Sequence, residues 1–149
     1  MTRILFICHG NICRSPMAEF LLKERLAAAH REKEFEVSSA ATSTEELGNG
    51  VYPPAARVLE GHKVPYNAHH RAHQITRKEF EDADIILCMD ERNLGNLKRM
   101  FGTLPEKVKL LSEFGKIPGG IEDPWYTGNF EKVFQEIRNC IDGLSQALQ

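Results

Sequence analysis

The apolar run Ile4-Leu5-Phe6-Ile7 leads into Cys8-His9-Gly10-Asn11-Ile12-Cys13-Arg14-Ser15-Pro16, after which a helical pattern begins. No other stretch constrains the chain so strongly. A buried strand that turns through a short loop into a helix N-terminus aims backbone N–H groups and the positive end of the helix dipole at one point. An oxyanion is the natural occupant of that point. Gly10 is free to take a positive φ and Asn11 tolerates the left-handed region, so both suit a loop curled around a tetrahedral anion; Ser15 can cap the helix and Pro16 fits its first turn. The field that holds an anion also favours a thiolate on Cys8, at the base of the loop. Arg14 completes the set. Its planar guanidinium can grip two phosphoryl oxygens side by side, where a lysine would offer only a point charge. Cys8 is therefore read as a nucleophile and Arg14 as the phosphate-binding cation. His9, Gly10, Asn11, Ile12, Cys13 and Ser15 make up the rest of the phosphate-binding loop.

Other readings of this loop fit less well. An unpaired cysteine is most often buried packing, but not usually in such a setting. The Gly-Lys-Ser/Thr ending of a nucleotide-binding loop is absent. Zinc between Cys8, Cys13 and the histidines would be repelled by Arg14 and a helix N-terminus, so no metal and no cofactor is expected. The chain of 149 residues, 42% hydrophobic, fits one domain spanning 1–149, with no apolar run near the ~20 residues a membrane span needs. Nineteen basic against 21 acidic residues give a formal charge of −2, which points away from nucleic acid and membrane surfaces. Four cysteines without a secretory leader suggest reduced thiols and a cytoplasmic protein.

Periodicity alternates strands and helices. Strands are expected at Arg3–Cys8, Phe35–Ser39, Ile85–Met89 and Val108–Leu111, and helices at Pro16–Ala29, Pro53–His62, from Thr76 through Phe80, from Asp90 to Phe101 and at Asn129–Leu148. Thr76 with Glu79 forms a capping box, and Asp90 caps the helix after the third strand. The pattern is that of an α/β fold, a parallel sheet with helices on both faces and ligands at the carboxyl ends of the strands. Asp123, in the segment Gly119-Gly120-Ile121-Glu122-Asp123-Pro124-Trp125-Tyr126, lies in a turn before the last helix, where a carboxylic acid beside aromatic rings could donate a proton.

Cys8-x-Gly10-Asn11-x-Cys13-Arg14-Ser15-Pro16-x-Ala18-Glu19 resembles the active-site signature of the low-molecular-weight protein tyrosine phosphatases. Ser39-Ala40-Ala41-Thr42-Ser43, Gly48-Asn49, His70-x-Ala72, Gln74-Ile75-Thr76, Ile86-Leu87-Cys88-Met89-Asp90 and Asp123-Pro124 extend the likeness over nearly the whole chain. The resemblance implies a single-domain, four-stranded parallel sheet of order 2-1-3-4, a phosphotyrosine phosphatase I-like, flavodoxin-like three-layer sandwich. It implies a metal-independent hydrolase that forms a phosphocysteine on Cys8, with Asp123 as general acid and then general base. It further implies that Asn11, Ser15, Ser39 and His70 support the loop, that Trp125 and Tyr126 wall the substrate ring, and that Cys13 can trap an oxidised Cys8. The implied partners are phosphotyrosine proteins or small aryl phosphates, with phosphate as product and inhibitor and the enzyme a monomer.

Some positions depart from that pattern. His73 stands where arginine is common, His9 where an apolar residue is usual, and Glu45 where animal members carry an aromatic at the pocket rim. Relatives that act on phosphoarginine carry a smaller threonine at the position of Ile12, so isoleucine favours phosphotyrosine over a protein arginine phosphatase. An arsenate reductase of this fold would need a second redox cysteine near Gly95 in addition to Cys88. A non-catalytic phosphate-binding module would have no need of nucleophile, arginine and acid together. Cys88 and Cys140 are read as packing.

Overall fold

The computed structural model describes residues 1–149. Four strands, β1 (Thr2–Cys8), β2 (Phe35–Ala41), β3 (Ile85–Cys88) and β4 (Val108–Leu110), form one parallel sheet in the order β2-β1-β3-β4. The expected order is thus observed. Six helices accompany it: α1 (Arg14–Ala28), α2 (Pro53–Gly61), α3 (Arg77–Asp82), α4 (Glu91–Phe101), α5 (Pro124–Thr127) and α6 (Phe130–Ala147).

The continuous apolar run of β1 follows from its central place, because side chains that alternate between faces must be apolar on both when both faces are covered. Ile4, Phe6 and Cys8 join a core with Met17 and Leu21 of α1 and Phe134, Ile137 and Ile141 of α6. Leu5 and Ile7 point the other way, into a core with Phe80 of α3 and Leu97 of α4. Parallel pairing in register, Cys8 opposite Ala41 and Ile7 opposite Cys88, brings the carboxyl ends of β1, β2 and β3 to one edge. No helix is long and apolar enough to cross a membrane.

Both foreseen caps form as boxes: Thr76 with Glu79 on α3, and Asp90 with Asn93 on α4. Several local expectations are corrected. Ser15 does not cap α1; the helix begins at Arg14, with Cys13 at the cap position and no capping side chain, because the Ser15 hydroxyl is turned to the thiol of Cys8. Gly10 does not take a positive φ, whereas Asn11 does, at 61°. β2 runs two residues further than expected, drawn on by its pairing with the end of β1. Leu111 leaves β4 for a short 3-10 turn, Leu111–Gly115, and the Asp-Pro turn closes into α5.

That 3-10 turn packs tightly on α6. A Cβ placed at Gly143 would lie 2.0 Å from the carbonyl oxygen of Phe114, so only glycine fits there. Alanine would gain helix propensity of about 1 kcal/mol but incur an overpacking penalty that outweighs it. Gly143→Ala is expected to lower stability by a net ~1–2 kcal/mol in urea unfolding; a midpoint at or above that of the parent would show that the contact is slack.

Candidate active site

Between β1 and α1 the chain turns in five residues, and Asn11 is the hub of the turn. It is fully buried and each of its polar groups has a partner: its backbone N–H donates to Cys8 Sγ at 3.2 Å. Its side-chain amide donates to Ser15 Oγ at 2.8 Å and Ser39 Oγ at 2.9 Å. Its side-chain oxygen accepts from the backbone of His73 at 3.4 Å, and its backbone oxygen faces His70 Nε2 at 2.8 Å. The direction of the chain of hydrogen bonds follows. Ser15 accepts from Asn11, so its own hydrogen is free for Cys8 Sγ, 3.0 Å away. Ser39 likewise accepts from Asn11 and donates to Glu19 Oε1 at 2.5 Å. Two donors thus converge on the Cys8 sulfur, at the N-terminus of α1, where a negative charge is best held.

Arg14, 2% exposed, is the largest fully buried side chain. Its Nη1 donates to Asp90 Oδ2 at 2.7 Å and to the carbonyl of Ile121 at 2.8 Å, and its Nη2 lies 3.4 Å from Asp123 Oδ2. Burial alone would lower its pKa, but Cys8, Asp90 and Asp123 outweigh that and hold it above the ordinary arginine value. Asp123 is the N-cap of α5, its Oδ1 accepting from the Trp125 N–H at 3.0 Å. Gly119 and Gly120 deliver the segment to this place. Gly120 has a φ of 108° and passes so close to Met89 and Asp90 that a Cβ would lie 2.9 Å from the Met89 carbonyl.

Cys8, Arg14 and Asp123 line one pocket, with Ile12 and Cys13 beside them, Glu45 and Glu46 on one lip and Trp125 and Tyr126 on the other. His9 bridges floor and lip, its Nε2 2.9 Å from Glu45 Oε2. Every pocket residue expected from the sequence is therefore brought together. Ser39 and His70 stand behind the loop, as the resemblance implies. His73 makes no contact with the pocket through its ring, which faces Glu79 Oε2 at 2.8 Å; that hydrogen bond raises its pKa. Burial pushes the thiols of Cys13 and Cys88 up, leaving both protonated, and Gly95 offers no second sulfur for a reductase relay.

Four participants escaped the sequence reading. Asp90 was read only as a cap, yet one oxygen caps α4 while the other holds Arg14. Glu19 sits among Met17, Ala18, Phe20 and Leu21, and a carboxylate in that buried company was the available signal. Glu46 had only its place beside Glu45 to mark it. Tyr52, packed at a tilt against Trp125 with ring centroids 4.8 Å apart, carried no local signal at all.

Asn11→Ala would strand two serine hydroxyls and place a Cβ-bearing residue without a polar side chain in the left-handed region, for an expected loss of ~2–4 kcal/mol. Asn11→Gly would relieve only the backbone part. Urea unfolding of the two variants separates the contributions: equal stability in both would mean that the backbone strain counts for nothing, and a glycine variant as stable as the parent would mean the same of the side-chain bonds.

Comparison with known proteins agrees with this geometry. The family model described as low molecular weight phosphotyrosine protein phosphatase matches residues 3–149. The low molecular weight phosphotyrosine protein phosphatase of Gallus gallus is 40% identical over 147 residues, covering 92% of this chain and 89% of the relative. The crystal structure of YfkJ from Bacillus subtilis superposes with a TM-score of 0.94 at 32% identity, covering 100% of this chain and 95% of that one. A Drosophila arginine phosphatase superposes with a TM-score of 0.88 at 28% identity, covering 100% and 98%. The chain belongs to the low molecular weight phosphotyrosine protein phosphatase family.

Proposed function

We propose that the protein hydrolyses phosphotyrosine monoesters through a phosphocysteine on Cys8. The observation that carries this reading is the Cys8 sulfur, held by the Asn11 N–H and the Ser15 hydroxyl at the floor of a pocket that Arg14 and Asp123 also line. The sulfur attacks phosphorus as the bond to the phenolic oxygen breaks, and Asp123 gives that oxygen its proton. Arg14 and the helix N-terminus hold the equatorial oxygens. Asp123 then takes a proton from water, which attacks phosphorus; the Cys8 thiolate departs, eased by the Ser15 hydroxyl, and phosphate is released.

Trp125 and Tyr126, 50% and 70% exposed, suit the faces of an aromatic ring, and Tyr52 backs Trp125. The likeness to a Drosophila arginine phosphatase favours a second reading, phosphoarginine as substrate. Against it stands Ile12, whose bulk lines the pocket. The protein acts as a monomer on phosphotyrosine proteins or small aryl phosphates. Because the chemistry needs a reduced Cys8, we place it in the cytoplasm, with Cys13 in the same pocket able to capture a peroxide-generated sulfenic acid on Cys8 as a disulfide, releasing water.

Cys8→Ser should abolish turnover yet still bind phosphate, and Arg14→Lys should lose at least about a hundredfold in kcat/KM because the two-pronged grip is gone. Full activity in either variant would remove that residue from the mechanism. In a parallel assay, phosphotyrosine peptides should exceed phosphoarginine peptides by roughly tenfold or more in kcat/KM, with the reverse order establishing the second reading.

Asp123→Asn should slow hydrolysis of phosphotyrosine by about 10²–10⁴ but that of an activated nitrophenyl phosphate far less, since a good leaving group departs unprotonated. Equal losses on both substrates would assign the proton to another group.

A further inference from the structure

We infer that the protein selects phosphotyrosine set among basic residues, and that Glu45 and Glu46 make the selection. The inference rests on the phosphatase reading and adds what surrounds the phosphorylated residue.

The pocket carries charge at two depths. At the floor, the single guanidinium, Arg14, is buried and faces Asp90 and Asp123. Its charge serves what enters the loop and is screened from anything lying across the mouth. At the lip stand two carboxylates, Glu45 and Glu46, while the opposite lip, Trp125 and Tyr126, is aromatic. Apart from His9, no further basic side chain lines the pocket. Arg71, the arginine near this lip segment, is turned onto the carbonyl of His70 beyond Gly50.

Both carboxylates are mounted on the phosphate loop rather than carried on a loose segment. Glu45 Oε2 faces His9 Nε2 at 2.9 Å, and its backbone N–H reaches Ser43 Oγ, whose hydroxyl donates to the carbonyl of His9. The side chain keeps much of its surface in solvent, so one carboxylate oxygen remains available to a ligand. Glu46 is held at Oε2 by Asn49, and its Cγ lies 3.2 Å from where a Cβ of Gly10 would be. A phosphorylated side chain gripped by the loop therefore carries its flanking residues past two oriented acids.

The apolar surface marks the same mouth. Of the four large hydrophobic side chains the chain exposes, two, Trp125 and Tyr126, line this pocket, and a third, Leu47, directly follows Glu46 in the chain. An extended peptide crossing between the lips would meet apolar contact on one side and negative charge on the other. Lysine or arginine beside the phosphotyrosine is attracted there. Glutamate or aspartate is repelled, and repulsion of the wrong partner is an effective source of specificity.

The test uses three peptides with one phosphotyrosine core flanked by lysines, alanines or glutamates. At low ionic strength kcat/KM should fall in that order, with about tenfold or more between the extremes. The spread should narrow in about 1 M salt, where the Debye length is ~3 Å. The double variant Glu45→Gln/Glu46→Gln, which keeps shape and hydrogen-bonding atoms, should bring the lysine-to-glutamate ratio close to one. A parent ratio at or below one, or a ratio unchanged in the double variant, would overturn the inference while leaving the phosphatase reading intact. Hydrolysis of none of the three peptides would overturn both.

Discussion

A guanidinium stripped of water is tolerated only when fixed partners answer its charge and its N–H groups. Arg14 draws its partners from far along the chain. Asp90, at the end of β3, lies 76 positions away and the Ile121 carbonyl 107. Meeting these needs explains otherwise separate features: a two-faced Asp90 that caps α4 with one oxygen, and a Gly120 pressed against Met89 to bring Ile121 and Asp123 within reach. The pocket is thus the visible part of a charge-compensation scheme that fastens the carboxyl edge of the sheet to the segment before α6.

Asn11 does the complementary task on the near side. A residue in the left-handed region gives up some backbone stability, and here three surrounding elements hold it there: α1 through Ser15, β2 through Ser39, and the 70–73 segment through His70 and His73. Glu19 terminates the line by accepting from Ser39 and from Lys23. One orientation of the amide therefore sets the direction of every hydrogen bond from Glu19 to the Cys8 sulfur.

What could be read in the sequence, and what could not, divides along the range of the interactions. Strand β1, the loop and α1 were recognisable because an apolar run, turn residues and a helix start lie within about twenty positions, and the boxes Thr76/Glu79 and Asp90/Asn93 are equally local. Ser15 was misassigned because its hydroxyl could serve either the helix or the thiol, and the choice depends on where Asn11 points. The end of β2 depends on its register with β1, and α5, at four residues, is too short to show a period. Tyr52 meets Trp125 only after folding, so nothing near it in the chain announced the contact.

Strand β1 lies inside the sheet, flanked by a strand that follows it and by another that arrives only at Ile85. During synthesis the reactive cysteine therefore emerges long before the groups that surround it. At ~5–20 residues per second, on the order of ten seconds separate Cys8 from Asp123. Through that interval the nascent chain holds an unshielded thiol and an arginine without its full set of partners, the last of which, the Ile121 carbonyl and Asp123, arrive only with the final quarter of the chain.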